Sequence, residues 1–177
     1  MISYIDRGDI LNLNIKHNAI VNPVNCVGAM GKGLALQFKE KYPLNYKAYR
    51  SYCFNNQMKL GKSFIFFENE KKIINFPTKG HWSKPSKLSY IEAGLKDLVT
   101  RLDEEDVIVF PLLGCGEGGL HPHRVLPLMH KYLDHCGCKV YICMDISKVF
   151  KPLYQIIREL ENDNANRVSQ SNDSRRY

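Results

Sequence analysis

Apolar positions along this chain take two spacings in turn. Residues 2–5, 19–22, 63–67, 72–76, 107–113 and 139–144 are short apolar runs rich in β-branched and aromatic side chains, which predicts strands. Pro23 is expected to end the second of them, and Asn69 to turn a hairpin between the third and fourth. Between these runs the spacing widens to that of helices. Leu34, Ala35, Phe38 and Tyr42 share one face opposite Lys39, Glu40 and Lys41, with Pro43 closing that helix and residues 46–54 forming another. Ile91, Leu95, Leu98 and Leu102 predict a helix from about Ser89, and Val125, Leu128, Met129 and Tyr132 one from about His123. Pro127 falls early enough in the latter to be tolerated. Leu153, Ile156, Ile157 and Leu160 predict a closing helix, after which Asn, Ser, Arg and Asp dominate and predict a disordered tail. One domain over residues 1–161 with a tail over 162–177 follows, and strands alternating with helices place it among the layered α/β folds.

Two of the strand-to-helix junctions are glycine-rich. The apolar run 107–113 empties into Gly114-Cys115-Gly116-Glu117-Gly118-Gly119, and the strand at 19–22 leads into Gly28-Ala29-Met30-Gly31-Lys32-Gly33. A glycine loop that opens onto a helix N-terminus exposes backbone N–H groups beside a positive dipole end, which makes an anion site. Two such loops at one end of a sheet can hold a diphosphate between them. Neither is a P-loop, because Gly61-Lys62-Ser63 has Asn56 where that motif needs its upstream glycine. Gly114, Gly116 and Gly119 satisfy G-x-G-x-x-G, but too late in the chain for a dinucleotide fold, and Asp134, twenty residues on, falls in a helix.

A formal charge of +7 points to an anionic partner, a nucleotide or nucleic acid. No apolar run is long enough to span a bilayer and the N-terminus lacks the order of a signal peptide, so a cytoplasmic protein with no membrane partner is expected. The six cysteines, Cys26, Cys53, Cys115, Cys136, Cys138 and Cys143, are scattered as reduced thiols are. Cys136 and Cys138 with His130, His135 and Cys143 lack the spacing of a zinc site, so no metal or other cofactor is expected.

Gly8-Asp9-Ile10, Val21-Asn22-Pro23-Val24-Asn25, Met30 to Ala35, Asn75-Phe76-Pro77-Thr78-Lys79 and Leu113 to Leu120 together resemble the macrodomain family. Within it they are most similar to the branch of DarG-like DNA ADP-ribosyl glycohydrolases and terminal ADP-ribose glycohydrolases, over residues 1 to about 145. The resemblance implies a three-layer α/β/α fold around a central mixed sheet. It also implies hydrolysis of ADP-ribose from a modified target, DNA bases before protein carboxylates or a small ADP-ribose derivative, with a non-catalytic ADP-ribose reader as the alternative of another kind. An ADP-ribosyltransferase toxin is the partner it implies.

By the same resemblance Asp9, with Ile10 beside it, receives the adenine amino group, and Asn25 reaches the distal ribose. Gly31, Lys32 and Gly33 form a first loop over that ribose and the diphosphate. Gly114, Cys115, Gly116, Glu117 and Gly118 form a second loop whose N–H groups hold the diphosphate. Lys79 matches the catalytic lysine of this branch, either as an amine that attacks C1″ of the distal ribose or as a cation that polarises the breaking bond. The animal enzyme's acidic partner in the second loop is here Gly118, which leaves Glu117 and His121 as the nearby groups able to move a proton. Trp82, with His81, Lys84 and Lys87, is a basic, aromatic segment after the catalytic lysine, suited either to stacking an unpaired base or to an ordinary lid.

Overall fold

Six strands alternate with four helices in the computed structural model, which describes residues 2–6 and 8–144. The strands are β1 (Ile2–Asp6), β2 (Ala19–Asn25), β3 (Phe64–Glu68), β4 (Lys71–Lys79), β5 (Val107–Pro111) and β6 (Lys139–Met144). The helices are α1 (Gly33–Lys41), α2 (Pro43–Phe54), α3 (Leu88–Val99) and α4 (Pro122–Leu133). One mixed sheet has the order β1-β6-β5-β2-β4-β3, parallel throughout except for the β3–β4 hairpin. Phe38 of α1 and Tyr42 just past its end pack on Ile20, Ile73 and Val109. On α3, Gly94 lies against the ring of Phe76. Ile73 and Phe76 stand three residues apart on β4 and face opposite sides of the sheet, so α1 and α3 cover opposite faces. The result is the three-layer α/β/α architecture expected.

The chain leaves β2 towards β4 on one side and leaves β5 towards β6 on the other, so the sheet changes direction between β2 and β5. These two strands pair only at Ala19 with Ile108 and Ile20 with Val109, while β2 stays paired with β4 as far as Asn25. Beyond Ile20 the sheet therefore opens at its C-terminal edge, the place where open α/β sheets hold ligands.

That opening explains two strands longer than their sequences predict. β2 runs through Pro23, where β5 has already parted and the missing N–H breaks no ladder on that side. β4 runs through Pro77 to Lys79, past the last β3 pair at Phe64 with Asn75, and is likewise paired on one side only. The hairpin turn is Asn69-Glu70, both at positive φ (50° and 60°), the geometry of a two-residue type I′ turn.

Three apolar positions fall off their expected faces. α3 ends at Val99, so Leu102 sits half-buried in the following turn. The fully buried face of α4 is Val125, Leu126, Met129, His130 and Leu133, whereas Leu128 and Tyr132 are only half-buried. Packed against α3 as well as the sheet, α4 buries an arc rotated from the one its spacing predicts. The predicted closing helix, the tail and the boundary at residue 161 lie outside the described residues. Among the described residues no helix is long and apolar enough to cross a membrane.

Glu70→Gly and Gly94→Ala should move stability in opposite directions. The first relieves a left-handed non-glycine residue and should gain about 1 kcal/mol; the second puts a methyl group into the Phe76 ring and should cost about 1–3 kcal/mol. Urea midpoints measured side by side check both signs.

Candidate active site

A cleft of about 990 Å³ occupies the opening at the C-terminal edge of the sheet. The loop after β2 forms one wall and the loop after β5 the other, with Thr78, Lys79, Trp82 and Ser83 closing a third side.

Asn25 organises the first loop. Its Oδ1 accepts from the N–H groups of Val27 (3.0 Å) and Ala29 (3.3 Å), and its Nδ2 donates to the Ala29 carbonyl at 2.6 Å. Tyr49 of α2 donates its hydroxyl to the Asn25 carbonyl at 2.7 Å, fastening the loop from beneath. Asn22, which points below it, is buried and donates to Asn75 Oδ1 at 3.0 Å. Past Gly31, where a Cβ would meet only open space, the chain enters α1 through Lys32 in an extended conformation. No side chain caps this helix and its first turn holds no acidic residue, so its N–H groups face the cleft available to an anion.

The second loop is closed upon itself. Leu120 N–H donates to the Gly114 carbonyl (2.9 Å), Gly119 N–H to that of Gly116 (3.0 Å), and Ser86 N–H to that of Gly118 (2.9 Å). Among the described residues no acceptor takes the N–H groups of Gly116, Glu117 or Gly118, which leaves three donors at the cleft. Gly114 has φ +71° and Leu120 and Ser86 crowd it, while a methyl group at Gly118 would overlap both Ser86 Oγ and the Gly114 carbonyl. That crowding allows no acidic side chain at position 118 without moving the loop.

Lys79 closes the site. It ends β4 opposite Asn25, is 7% exposed, and reaches across the cleft to donate from Nζ to the Glu117 carbonyl at 2.6 Å and, more weakly, to that of Trp82 at 3.5 Å. Among the described residues it forms no ion pair with a carboxylate.

The expected site residues fall into two groups. Asn25, Gly31, Lys32, Gly33, Lys79, Trp82, Gly114, Gly116, Glu117 and Gly118 all line the cleft. Asp9 and Ile10 do not. Asp9 is exposed in the loop after β1, where its Oδ1 accepts from Leu11 N–H (3.0 Å) and its Oδ2 from Asn12 Nδ2 (2.6 Å), while Ile10 packs into the core against α1. Because β1 runs parallel to β6, and β6 to β5, that loop opens at the same edge of the sheet as the cleft. Lys84 lies beyond the cleft wall and His121 is exposed at the start of α4, its ring tilted against that of His123 with centroids 4.1 Å apart. Cys115 is turned inward, and burial pushes its thiol up to about 12, far from a nucleophile's range. Among the described residues no three His, Cys, Asp or Glu side chains gather as for a metal. Ser86 and Tyr49, which hold the two loops from behind, carry no motif, and only the fold reveals them.

With this geometry in place, comparisons are specific. The macro domain family model matches residues 21–129. The DNA ADP-ribosyl glycohydrolase of Mycobacterium tuberculosis is 48% identical over 126 residues, which cover 68% of this chain and 35% of that protein. The solved macrodomain of M. tuberculosis DarG superposes with a TM-score of 0.74 at 42% identity, covering 81% of this chain and 97% of that one. Thermosipho africanus DarTG, solved in complex with ADP-ribose, gives a TM-score of 0.71 at 30% identity, covering 77% of this chain and 40% of that one. The chain thus spans about a third of the length of the curated relatives it matches.

Thiol reactivity offers a check on the loop geometry. Cys136 Sγ lies 3.0 Å from Cys138 Sγ, and this hydrogen bond holds the Cys136 thiol below the usual thiol range. Iodoacetamide at neutral pH should therefore label Cys136 ahead of Cys115, read by peptide mass spectrometry; faster labelling of Cys115 would contradict its inward orientation.

Proposed function

Because this chain belongs to the macro domain family, we propose that it is an ADP-ribosyl hydrolase that removes ADP-ribose from modified DNA bases by a lysine-dependent route. The observation that carries the reading is the Lys79 amine, held inside the cleft 2.6 Å from the Glu117 carbonyl. A module that only binds ADP-ribose would turn such an amine to the diphosphate, whereas Lys79 is held by the Glu117 and Trp82 carbonyls.

The remaining residues take complementary parts. The diphosphate lies on the free N–H groups of Gly116, Glu117 and Gly118 and on the uncapped start of α1. Asp9 receives the adenine amino group on lone pairs its two local hydrogen bonds leave over, with Ile10 as the apolar neighbour. Asn25 shapes the first loop and keeps one Nδ2 hydrogen for the distal ribose. Hydrolysis breaks the bond from C1″ to the base, with water supplying hydroxyl to C1″ and a proton to the base. Lys79 acts there in one of two ways: it leaves the Glu117 carbonyl to attack C1″, giving a covalent adduct that water releases, or it stays and polarises the leaving base. Trp82, 61% exposed on the cleft wall, offers a face for an unpaired base, with Lys84 beyond it for the backbone. An ADP-ribosyltransferase toxin that writes the same mark is the partner this reading implies.

The test is release of ADP-ribose from an ADP-ribosylated thymidine-containing oligonucleotide, beside an ADP-ribosylated protein. Release from DNA supports the reading, and release from protein alone moves the substrate to carboxylates. Binding of free ADP-ribose with neither cleaved makes the chain a reader. Lys79→Ala should keep ADP-ribose affinity within about threefold while turnover falls by about 10³ or more; unchanged turnover rejects the lysine route. Gly118→Ala should do the reverse of a catalytic variant and weaken ADP-ribose binding itself, by about tenfold or more, because the loop must move to admit the methyl group. Isothermal titration separates the two variants.

A further inference from the structure

The charge of this chain is unevenly distributed. The 27 residues from Lys41 to Phe67 hold five Lys and Arg and no Asp or Glu, against a net charge of +7 for the whole chain. α2 lies inside this stretch and carries a groove of about 570 Å³ on its outer side, lined by Leu44, Tyr46, Lys47, Arg50 and Phe54 among others. Phe54 is 85% exposed. Lys47, Arg50 and the neighbouring Lys59 form no ion pair among the described residues. The nearest carboxylate, Glu68, is buried and taken up by the N–H groups of Leu44 and Asn45. An exposed aromatic ring beside unpaired cations is the combination by which single strands are held, bases on rings and phosphates on cations.

α2 also packs against the first loop of the cleft. Gly28 of the first loop, whose later residues wall the cleft, sits directly on α2, its Cβ direction ending 3.4 Å from Arg50 Cγ and from Cys53 Cβ. Between them, on the rim, stands Val27, half-exposed and uncharged. A strand whose modified nucleotide occupies the cleft has the first loop to cross before it reaches Arg50 on α2.

We propose that α2 is a second nucleic-acid subsite, a track for nucleotides flanking the modified base in single-stranded DNA, with Lys47 and Arg50 on phosphates and Phe54 under a base. This inference rests on the DNA reading of the cleft given above. The groove discriminates by strand length, so the same modified base is processed better within a strand than alone.

Two arms test it, using wild type and a Lys47→Ala/Phe54→Ala variant whose altered side chains are both exposed. In the first, kcat/KM is measured on an ADP-ribosylated mononucleoside and on a longer oligonucleotide carrying the same base. Wild type should favour the oligonucleotide by about tenfold or more through KM, and the variant should lose that advantage while keeping its rate on the nucleoside. In the second, anisotropy follows unmodified oligothymidylate over a salt series. The variant should bind more weakly, with a salt slope smaller by about 0.7 for each phosphate it no longer neutralises. If neither modified substrate is turned over, the DNA reading of the cleft fails and the anisotropy arm still decides the groove. An unchanged length advantage and unchanged salt slope overturn the proposal, as does a variant that keeps oligothymidylate affinity but loses binding to polyglutamate, which would make the groove a protein site.

Discussion

The parting of β2 from β5 after two residue pairs is the constraint on which the rest depends. Parallel strands normally satisfy one another along their length, and strands that separate leave N–H and C=O groups needing other partners. Here the loops that follow the two strands are held by the protein's own groups. Asn25 folds its amide back over the turn that follows it, and Tyr49 reaches up to the Asn25 carbonyl. On the other wall the glycine loop closes on itself and hands one carbonyl to Ser86 and another to Lys79. Among the described residues the N–H groups of Gly116, Glu117 and Gly118 are left free on the inner surface. An anion cleft follows from the topology before any charged side chain is placed.

Strand and helix identities were legible because their apolar spacing differs, and the two glycine junctions marked both walls. The limits of legibility fall at the prolines. Pro23 and Pro77 look like strand ends, since proline cannot donate to a ladder, and only the absence of a neighbour on one side makes them harmless. Leu102 and Leu128 kept helical spacing while tertiary packing chose another face or ended the helix first. In the site, the residues with a motif were legible and those acting from behind were not. Ser86 lies in a Ser-Lys-Pro-Ser stretch with no distinguishing pattern, yet its N–H and its bulk set the second loop. Asp9 is the opposite case: its identity is plain in the sequence, while its hydrogen bonds are those of an ordinary turn.

Lys79 and Gly118 are physically linked. The crowding around Gly118 excludes a side chain there, so the second loop offers the lysine a carbonyl in place of a carboxylate. A carbonyl orients an amine without taking its proton, and the loop backbone stays free to bind phosphate. One segment thereby supplies both the anion donors and the orientation of the amine, and the two cannot vary independently.

Glu68, the last residue of the edge strand β3, has a consequence for the order of assembly. Its carboxylate takes the N–H groups of Leu44 (3.3 Å) and Asn45 (2.7 Å), the first free donors of α2. Neither Tyr42 nor any acidic residue of its own first turn caps that helix, so its start is secured by a residue more than twenty positions downstream. A helix of this length is marginal alone. α2 therefore gains its N-terminal cap only once the β3–β4 hairpin has docked, and in a nascent chain emerging in sequence order residues 43–54 lack that cap until residue 68 has arrived.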